Sequence, residues 1–419
     1  MQNDKEVASE LFYNIKNDTA SVKQIDVNEI YSKHFTEKNE LLSEVQFKDL
    51  GLKEELINSL YIQGFDKPTE IQRLSIPIIC SGKDGAFHSK SGTGKTIGFT
   101  TGILNQISQG CGPQAIILTP TRELNMQIFA VIQKTADPLN IKVCLALREL
   151  EIESISEEII IGCPAKIVNL ILKGILKKDN LKIIVLDEAD QMISGRSFGV
   201  QTMKLIKEVG NIQKIFFSAT YSELSQKAIN MISPNGEKHF KTNKKADNIA
   251  LYYVEMEKNK KIDTLKSLLE LLTVAQVIIF VNSKKMVDII YNVFSADGFT
   301  VSKLHGDVPL ADRDLTLANF AQAKTKILVT TDVFSRGMDI PQVNLIVNFD
   351  LPIDTFGNSI ETYIHRIGRS GRFNRKGFVI DFISNGDDLE TLVKIQASIN
   401  ETSKKFTIDG LMKTMNEEK

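Results

Sequence analysis

Tryptophan is absent from this chain of 419 residues, and cysteine is sparse at four residues. Those cysteines, Cys80, Cys111, Cys144 and Cys163, lie far apart and form no CxxC pair, which excludes a zinc framework and a disulfide scaffold and leaves reduced thiols. Neither sign of charge is in excess. With 51 basic and 52 acidic residues the formal net charge is -1, so no global field favours nucleic acid, and any such role must rest on local geometry. No apolar run approaches the ~18 residues of a membrane span. The opening MQNDKEVASE is polar, with no apolar signal core, so the expectation is a soluble intracellular protein without a membrane partner.

What is present is ordinary globular material, 42% hydrophobic and 25% charged. The length exceeds what one core usually supports, so two domains of about 200 residues are expected. Residues 1–46 hold nine acidic and five basic residues with scattered apolar positions, and read as a mobile N-terminal extension. From Phe47 short β-branched runs alternate with amphipathic segments: AIILTP, IIIGCP, IIVLDEAD and KIFFSAT, the mark of βαβ units and a parallel sheet. GEKHFKTNKKADNIA breaks the pattern and reads as a connector, with the linker placed at 241–250. The pattern then restarts in AQVIIFVN, TVSKLHG, TKILVTTD, VNLIVNFD and GFVIDFIS. The fold class expected is α/β, with tandem domains at 47–240 and 251–419, each a doubly wound parallel sheet flanked by helices. In both halves polar clusters follow the carboxyl ends of the apolar runs, the edge where open parallel sheets bind ligands. Two such edges, facing each other, would make one shared cleft.

AFHSKSGTGKT, residues 86–96, places a short strand, a glycine-rich turn and Lys95-Thr96 at a helix start. Backbone N–H groups of Ser91, Gly92, Thr93, Gly94 and Lys95 can cradle phosphate oxygens, while Lys95 reaches the β/γ phosphates and Thr96 a Mg²⁺ ion. Ser89 stands where the general pattern has glycine, a mild departure because Gly92 and Gly94 still permit close approach. In IVLDEADQM, Asp187 ends an apolar strand, as a Mg²⁺-holding carboxylate does, and Glu188 is placed to orient or deprotonate a water. Asp190 can pair with an arginine or with the SAT loop of Ser218 and Thr220. IETYIHRIGRSGRF carries Arg366, Arg369 and Arg372, which from spacing alone could line a nucleic-acid groove, pair with buried carboxylates or reach nucleotide phosphates.

The ordered set Phe47, GFDKPTEIQ, SGTGKT, PTREL, DEAD, SAT, VIIFVNS, RGMD and HRIGRSGR resembles the DEAD-box ATP-dependent RNA helicases over residues 47 to about 400. The resemblance implies two RecA-like domains and an ATP hydrolase that uses Mg²⁺ and acts on RNA. It assigns Phe65, Lys67 and Gln72 to the adenine, a role that Gln72, with an amide donor and acceptor, suits. It implies RNA-backbone contacts from Pro120, Thr121 and Arg122 in the first half, and from Arg313 and Thr331 in the second. Leu310 replaces the glutamine that precedes the matching arginine, and GCPAK departs from the commoner GTPGR, so Cys163 and Lys166 are not counted as RNA ligands. Arg369 and Arg372 match fingers on the γ-phosphate, Asp339 a cleft residue at the ATP, and Arg336 a cleft residue linking RNA to ATP. His365 and Arg366 are expected to bridge the domains, Arg366 toward the DEAD carboxylates, beside Asp190, Ser218 and Thr220.

IDTFGNSI, between VNLIVNFDLP and ETYIHRIGR, is longer than the usual connection and resembles the mRNA-export branch at the cytoplasmic face of the nuclear pore. That branch implies a monomer in cytoplasm and nucleus that remodels mRNA–protein complexes on single-stranded RNA. Its implied partners are a nucleoporin docked on the first domain and an inositol-hexakisphosphate-dependent activator on the second. Translation-initiation-type helicases and an ATP-gated RNA clamp with slow turnover are the alternatives. A P-loop ATPase acting on protein alone is disfavoured by PTREL and TTD.

Overall fold

Runs such as Ile183–Asp187 and Gln213–Ser218 become strands because β-branched and aromatic side chains fit a pleated surface, and here every residue of both runs is buried. Strands buried on both faces are the hallmark of a parallel sheet covered by helices. The computed structural model describes residues 2–23, 42–89, 92–194, 196–240, 249–332, 342–353, 359–371 and 376–417. They divide into two units, Ser32–Thr242, and Met1–Tyr31 together with Asn243–Lys419.

In the Ser32–Thr242 unit the strands are β1 (Gly85–His88), β2 (Ala115–Leu118), β3 (Val143–Ala146), β4 (Ile159–Gly162), β5 (Ile183–Asp187), β6 (Gln213–Ser218) and β7 (Glu237–His239). They form one sheet in the order β3-β4-β2-β5-β6-β1-β7, with every pairing parallel. Two apolar clusters, one built on Phe87, Ile117 and Val185 and one on Ile116, Leu186 and Phe216, lie on alternate residues of these strands and so on opposite faces. Because β1, β6 and β5 are adjacent, their carboxyl ends meet at one place on the sheet edge. In register, Asp187 stands beside Phe217, and Ser218 beside His88.

The second unit holds β8 (Ile249–Glu255), β9 (Gln276–Phe280), β10 (Val301–Leu304), β11 (Ile327–Thr330), β12 (Val343–Asn348), β13 (Gly377–Ile383) and β14 (Lys404–Lys405). Its order, β10-β11-β9-β12-β13-β8-β14, repeats that of the first sheet strand for strand, again all parallel. These are the tandem RecA-like sheets that the motifs imply.

Three readings of the sequence are corrected. Gln2–Lys23 is a helix rather than part of a mobile extension. Ala8, Leu11, Phe12 and Ile15 recur at helical spacing and are buried in one core with Tyr252, Phe406 and Leu411. Full burial of Leu11 or Ile15 is worth about 1.5–3 kcal/mol each, and Glu10 adds an ion pair with Lys404 at 2.6 Å. Within the segment read as a connector, Glu237–His239 pairs with β1 as an edge strand, which backbone hydrogen bonds hold without an apolar pattern. Ile249 and Ala250 begin β8, while residues 241–248 lie outside the described residues.

Candidate functional site

The glycine-rich turn after β1 leads into helix Lys95–Gln106, with Gly92 at φ +78 and Gly94 at φ +91, values that side-chain-bearing residues rarely adopt. Gly94, Gly98 and Gly102, spaced by four, turn one face of that helix toward helix Glu70–Cys80. A Cβ on Gly102 would lie 2.5 Å from Ile79 Cγ2, and one on Gly98 3.0 Å from Ser75 Oγ. Gln72 ties the two helices together. Its Oε1 accepts from the Thr69 N–H at 2.9 Å, closing a capping box, and its Nε2 donates to the Gly94 carbonyl at 3.0 Å. The side chain expected at the adenine therefore also fixes the phosphate turn, a double role that the T-x-x-Q spacing of Thr69 and Gln72 signals. Phe65 is half-buried against Phe47, Leu60 and Ile76, and Lys67 is exposed. Ser89 Oγ and Thr93 Oγ1 lie 2.6 Å apart within the turn. Ser91 lies outside the described residues.

Lys95 points across this turn at the end of β5. Its Nζ lies 3.0 Å from Asp187 Oδ1 and 2.9 Å from Glu188 Oε1, with all three side chains nearly inaccessible. Burial opposes the Lys95 ammonium, but Asp187 and Glu188 outweigh it and hold its pKa above the ordinary lysine value. One cation serves two carboxylates, and the strain falls on Asp187. Burial and the charge of Glu188 push its carboxyl above the usual range, against the pull of Lys95. Asp187 Oδ2 is buried with no hydrogen-bond partner among the described residues. An unpartnered anionic oxygen is costly in such a place, and it fits a hard divalent cation, which takes oxygen ligands. Thr96, half-buried at the second position of the helix, supplies a further oxygen.

Glu188 sits at φ +58, an uncommon conformation for a glutamate and one that concentrates at functional sites. One residue on, helix Ala189–Ser194 begins, and Asp190 accepts from Ser218 Oγ and Thr220 Oγ1, each at 2.7 Å. The end of β6 is thereby locked to the DEAD segment. Along the same edge Pro120 is buried, and Thr121 caps helix Arg122–Ala136 by accepting from the Leu124 N–H at 3.3 Å. Arg122 is paired with Glu149. Thr119, Asn125 and Cys163 continue a polar chain, with Thr119 Oγ1 donating to Asn125 Oδ1 at 2.9 Å and Asn125 Nδ2 donating to Cys163 Sγ at 3.2 Å. Burial pushes the Cys163 thiol up to about 11, which leaves it a packed neutral group.

In the second unit, Arg366 is the most heavily bonded of the expected site residues. Its side chain is fully buried, on helix Ser359–Ile367. Nε and Nη2 grip Asp332 at 2.6 and 3.1 Å, Nη1 donates to the Asp350 carbonyl at 2.7 Å and to Asn348 Oδ1 at 3.4 Å, and Nη2 donates to Asn282 Oδ1 at 3.0 Å. Those bonds occupy all five donors of a guanidinium. Arg366 is thus engaged by the strand ends of its own unit. It also lies 5.1 Å from the centroid of the Phe280 ring.

His365 and Arg369 are both buried, and Arg369 Nε donates to the His365 carbonyl at 3.2 Å. Gly371, at φ +69, turns the chain, and Gly377 lets the two backbones approach: a Cβ on Gly377 would lie 2.3 Å from the Gly371 nitrogen. Thr331 is half-buried just past β11, with its N–H donating to the Leu304 carbonyl at 3.4 Å. Arg313 braces the loop before its own helix, donating to the carbonyls of Val308, at 2.8 Å, and Gly306. Arg336, Asp339, Arg372 and residues 354–358 of the insertion lie outside the described residues.

Comparison with known proteins agrees with this geometry. Residues 69–228 match the DEAD/DEAH box helicase family, and residues 260–374 match the helicase conserved C-terminal domain. The chain is 37% identical to the ATP-dependent RNA helicase FAL1 of Kluyveromyces lactis over 370 residues, which is 84% of this chain and 90% of that protein. It is 37% identical to eukaryotic initiation factor 4A of Zea mays over 356 residues, 82% of this chain and 85% of that protein. Among solved structures, S. cerevisiae Dbp5 bound to RNA and ADP BeF3 matches with a TM-score of 0.84 at 33% identity, covering 89% of this chain and 98% of that one.

Proposed function

The chain belongs to the DEAD-box ATP-dependent RNA helicases, and on that premise we propose that it uses ATP hydrolysis to remodel RNA–protein complexes during export of mRNA from the nucleus. The observation that carries the chemistry is the Lys95 ammonium held between Asp187 and Glu188 beside a glycine turn and a helix N-terminus. Phosphate oxygens arriving at the amides of Gly92 to Thr96 compete with the carboxylates for Lys95. Lys95 then neutralises the β/γ phosphates, and Glu188 is freed to orient the attacking water. Water adds to the γ-phosphorus as the bond to the β-phosphate oxygen breaks. Asp187 and Thr96 are proposed to hold Mg²⁺, which neutralises phosphate charge and stabilises the leaving oxygen.

Phe65, Lys67 and the outer edge of Gln72 are proposed to receive the adenine. Pro120, Thr121, Arg122, Arg313 and Thr331 are proposed to contact single-stranded RNA through its backbone, which fixes position without reading sequence. Thr121 and Arg122 already have local partners, so RNA must draw Arg122 away from Glu149. Arg369 and Arg372 are proposed to act on the γ-phosphate, with Arg336 and Asp339 at the same nucleotide. Asp190, Ser218 and Thr220 are proposed to couple nucleotide state to RNA state, and His365 to take part in that coupling. Reciprocal coupling follows whenever ATP and RNA favour the same state of the protein.

The export role is supported by the insertion before ETYIHRIGR and by the likeness to Dbp5. Dbp5 has been seen bound to Gle1 and IP6, and to Nup159, Gle1, IP6 and ADP. By that likeness the proposed partners are a nucleoporin on the first domain and an IP6-dependent activator on the second, and the proposed location is the cytoplasmic face of the nuclear pore. A translation-type role is the second reading, favoured by the identity to initiation factor 4A. Staining of the nuclear rim distinguishes the two, since a purely diffuse cytoplasmic signal supports the translation role. Steady-state ATP hydrolysis tests the chemistry. Single-stranded RNA should stimulate it, and Arg369→Ala should lower the stimulated rate by about 10³- to 10⁵-fold. Near-normal turnover in that variant would overturn the assignment.

A further inference from the structure

One buried carboxylate of the second unit is not among the residues proposed to touch nucleotide or RNA. Asp381 lies in mid-strand on β13, between Val379 and Ile383, in register with Asn348 on β12 and Tyr253 on β8. It is fully buried on a sheet face that carries Phe280 and Ile346 and is covered by Ile367 of helix Ser359–Ile367. Each of its oxygens has a donor: Oδ1 accepts from Asn348 Nδ2 at 2.7 Å, and Oδ2 accepts from the Tyr363 hydroxyl at 2.8 Å. Both donors lead to the arginine segment. Tyr363 stands three residues before Arg366 on helix Ser359–Ile367, hence on a neighbouring part of its surface, and Asn348 Oδ1 accepts from Arg366 Nη1 at 3.4 Å. An apolar side chain at 381 would fill this core without a buried charge to satisfy. The carboxylate instead braces the helix at two points.

We propose that Asp381 is a positioning residue for ATP hydrolysis: its ionised carboxylate, acting through Tyr363 and Asn348, sets the seat of Arg366 and, three residues on, of Arg369. The proposal rests on the reading of Arg369 as a residue that acts on ATP. The groups facing Asp381 are Tyr363 and Arg366 from the helix, Asn348 from β12 and Tyr253 from β8. Burial pushes the Asp381 carboxyl up to about 6, against the donors Asn348 and Tyr363 and the charge of Arg366. Burial also holds Tyr363 well above the ordinary tyrosine value, so it remains a donor. A protonated Asp381 presents an O–H to two groups that are themselves donating. Asn348 can accept it only by turning its amide, which points an NH₂ at the Arg366 guanidinium. Protonation thus loosens the brace.

The sign of the linkage separates this role from a structural one. Because the folded-state pKa is raised, stability contributed by the protonated form is present at low pH and is lost as pH rises from about 4 to about 6. Activity that needs the ionised form rises through the same window. A residue kept only for stability would not set the two in opposition.

The test is the pH profile of RNA-stimulated ATP hydrolysis of the full chain, with saturating Mg²⁺, ATP and RNA, beside thermal melts of each variant. Asp381→Asn should lose the acid limb near pH 6, lower kcat about tenfold with KM for ATP unchanged, and melt at or above the wild-type temperature at pH 7.5. Tyr363→Phe removes one donor to the carboxylate and should move the acid limb to higher pH. A wild-type profile in both variants overturns the proposal, as does a fall in melting temperature of Asp381→Asn with unchanged kcat. Arg369→Ala, measured in parallel, keeps the two readings apart. If it abolishes stimulated hydrolysis while the Asp381 and Tyr363 variants behave as wild type, only the positioning role fails, whereas normal turnover in Arg369→Ala removes the reading on which that role rests.

Discussion

The two sheets share one strand order, yet their carboxyl edges carry opposite electrostatic states. At the edge of the first, a single ammonium serves two buried carboxylates, and Asp187 Oδ2 has no hydrogen-bond partner among the described residues. At the edge of the second, the buried guanidinium of Arg366 has an acceptor for every donor. The loops differ to match. After β1 the chain makes a turn with two glycines at positive φ, whereas after β8 it enters a lysine-bearing 3-10 turn, Lys258–Lys260, that leads directly into helix Lys261–Leu271. Among the described residues, one edge of this duplicated fold is left under-coordinated, as the proposed phosphate and Mg²⁺ sites require, and the other is tied around an arginine.

Breaking the closed edge should have the larger effect on folding. Arg366→Ala strands the Asp350 carbonyl and the side chains of Asn282 and Asn348 and leaves the half-exposed Asp332 without its guanidinium, and should destabilise the second unit by roughly 2–3 kcal/mol, the usual cost of losing hydrogen bonds to a charged group. Chemical denaturation of the full chain would show this as an early transition belonging to one unit, while a single unshifted transition would mean the network contributes little. Gln72→Ala sharpens the comparison from the other side. It leaves the Thr69 N–H and the Gly94 carbonyl without their partner and should cost about 1–2 kcal/mol in the first unit. Weaker nucleotide binding should accompany that loss, since the same amide holds the phosphate turn.

Much of this was legible beforehand for a simple reason: central parallel strands are continuous apolar runs, and ligand-binding residues follow their carboxyl ends. IIVLDEAD and KIFFSAT therefore announced both a strand and a site. What escaped notice lies where backbone pairing or distant partners decide. Val143–Ala146 is a half-exposed edge strand, and Glu237–His239 is polar throughout. The stripe Ala8, Leu11, Phe12 and Ile15 is diluted by charges, and its burial depends on Tyr252 and Phe406, more than two hundred residues away. Arg366 illustrates the same limit at the site. The motif names the arginine, but its acceptors, on four residues between Asn282 and Asp350, come from three strand ends. Asp381 did leave a signal, one acid in the middle of GFVIDFI, and a charge at the centre of a fully buried strand is a reason to look for its partners.

The contrast between the two edges makes one statement that can be counted: a fold present twice holds nucleotide once. Calorimetric titration of the full chain with ATP and Mg²⁺ should give one site per chain, and Lys95→Ala should abolish it. A second nucleotide bound by the other half, or undiminished binding in the Lys95 variant, would contradict the account.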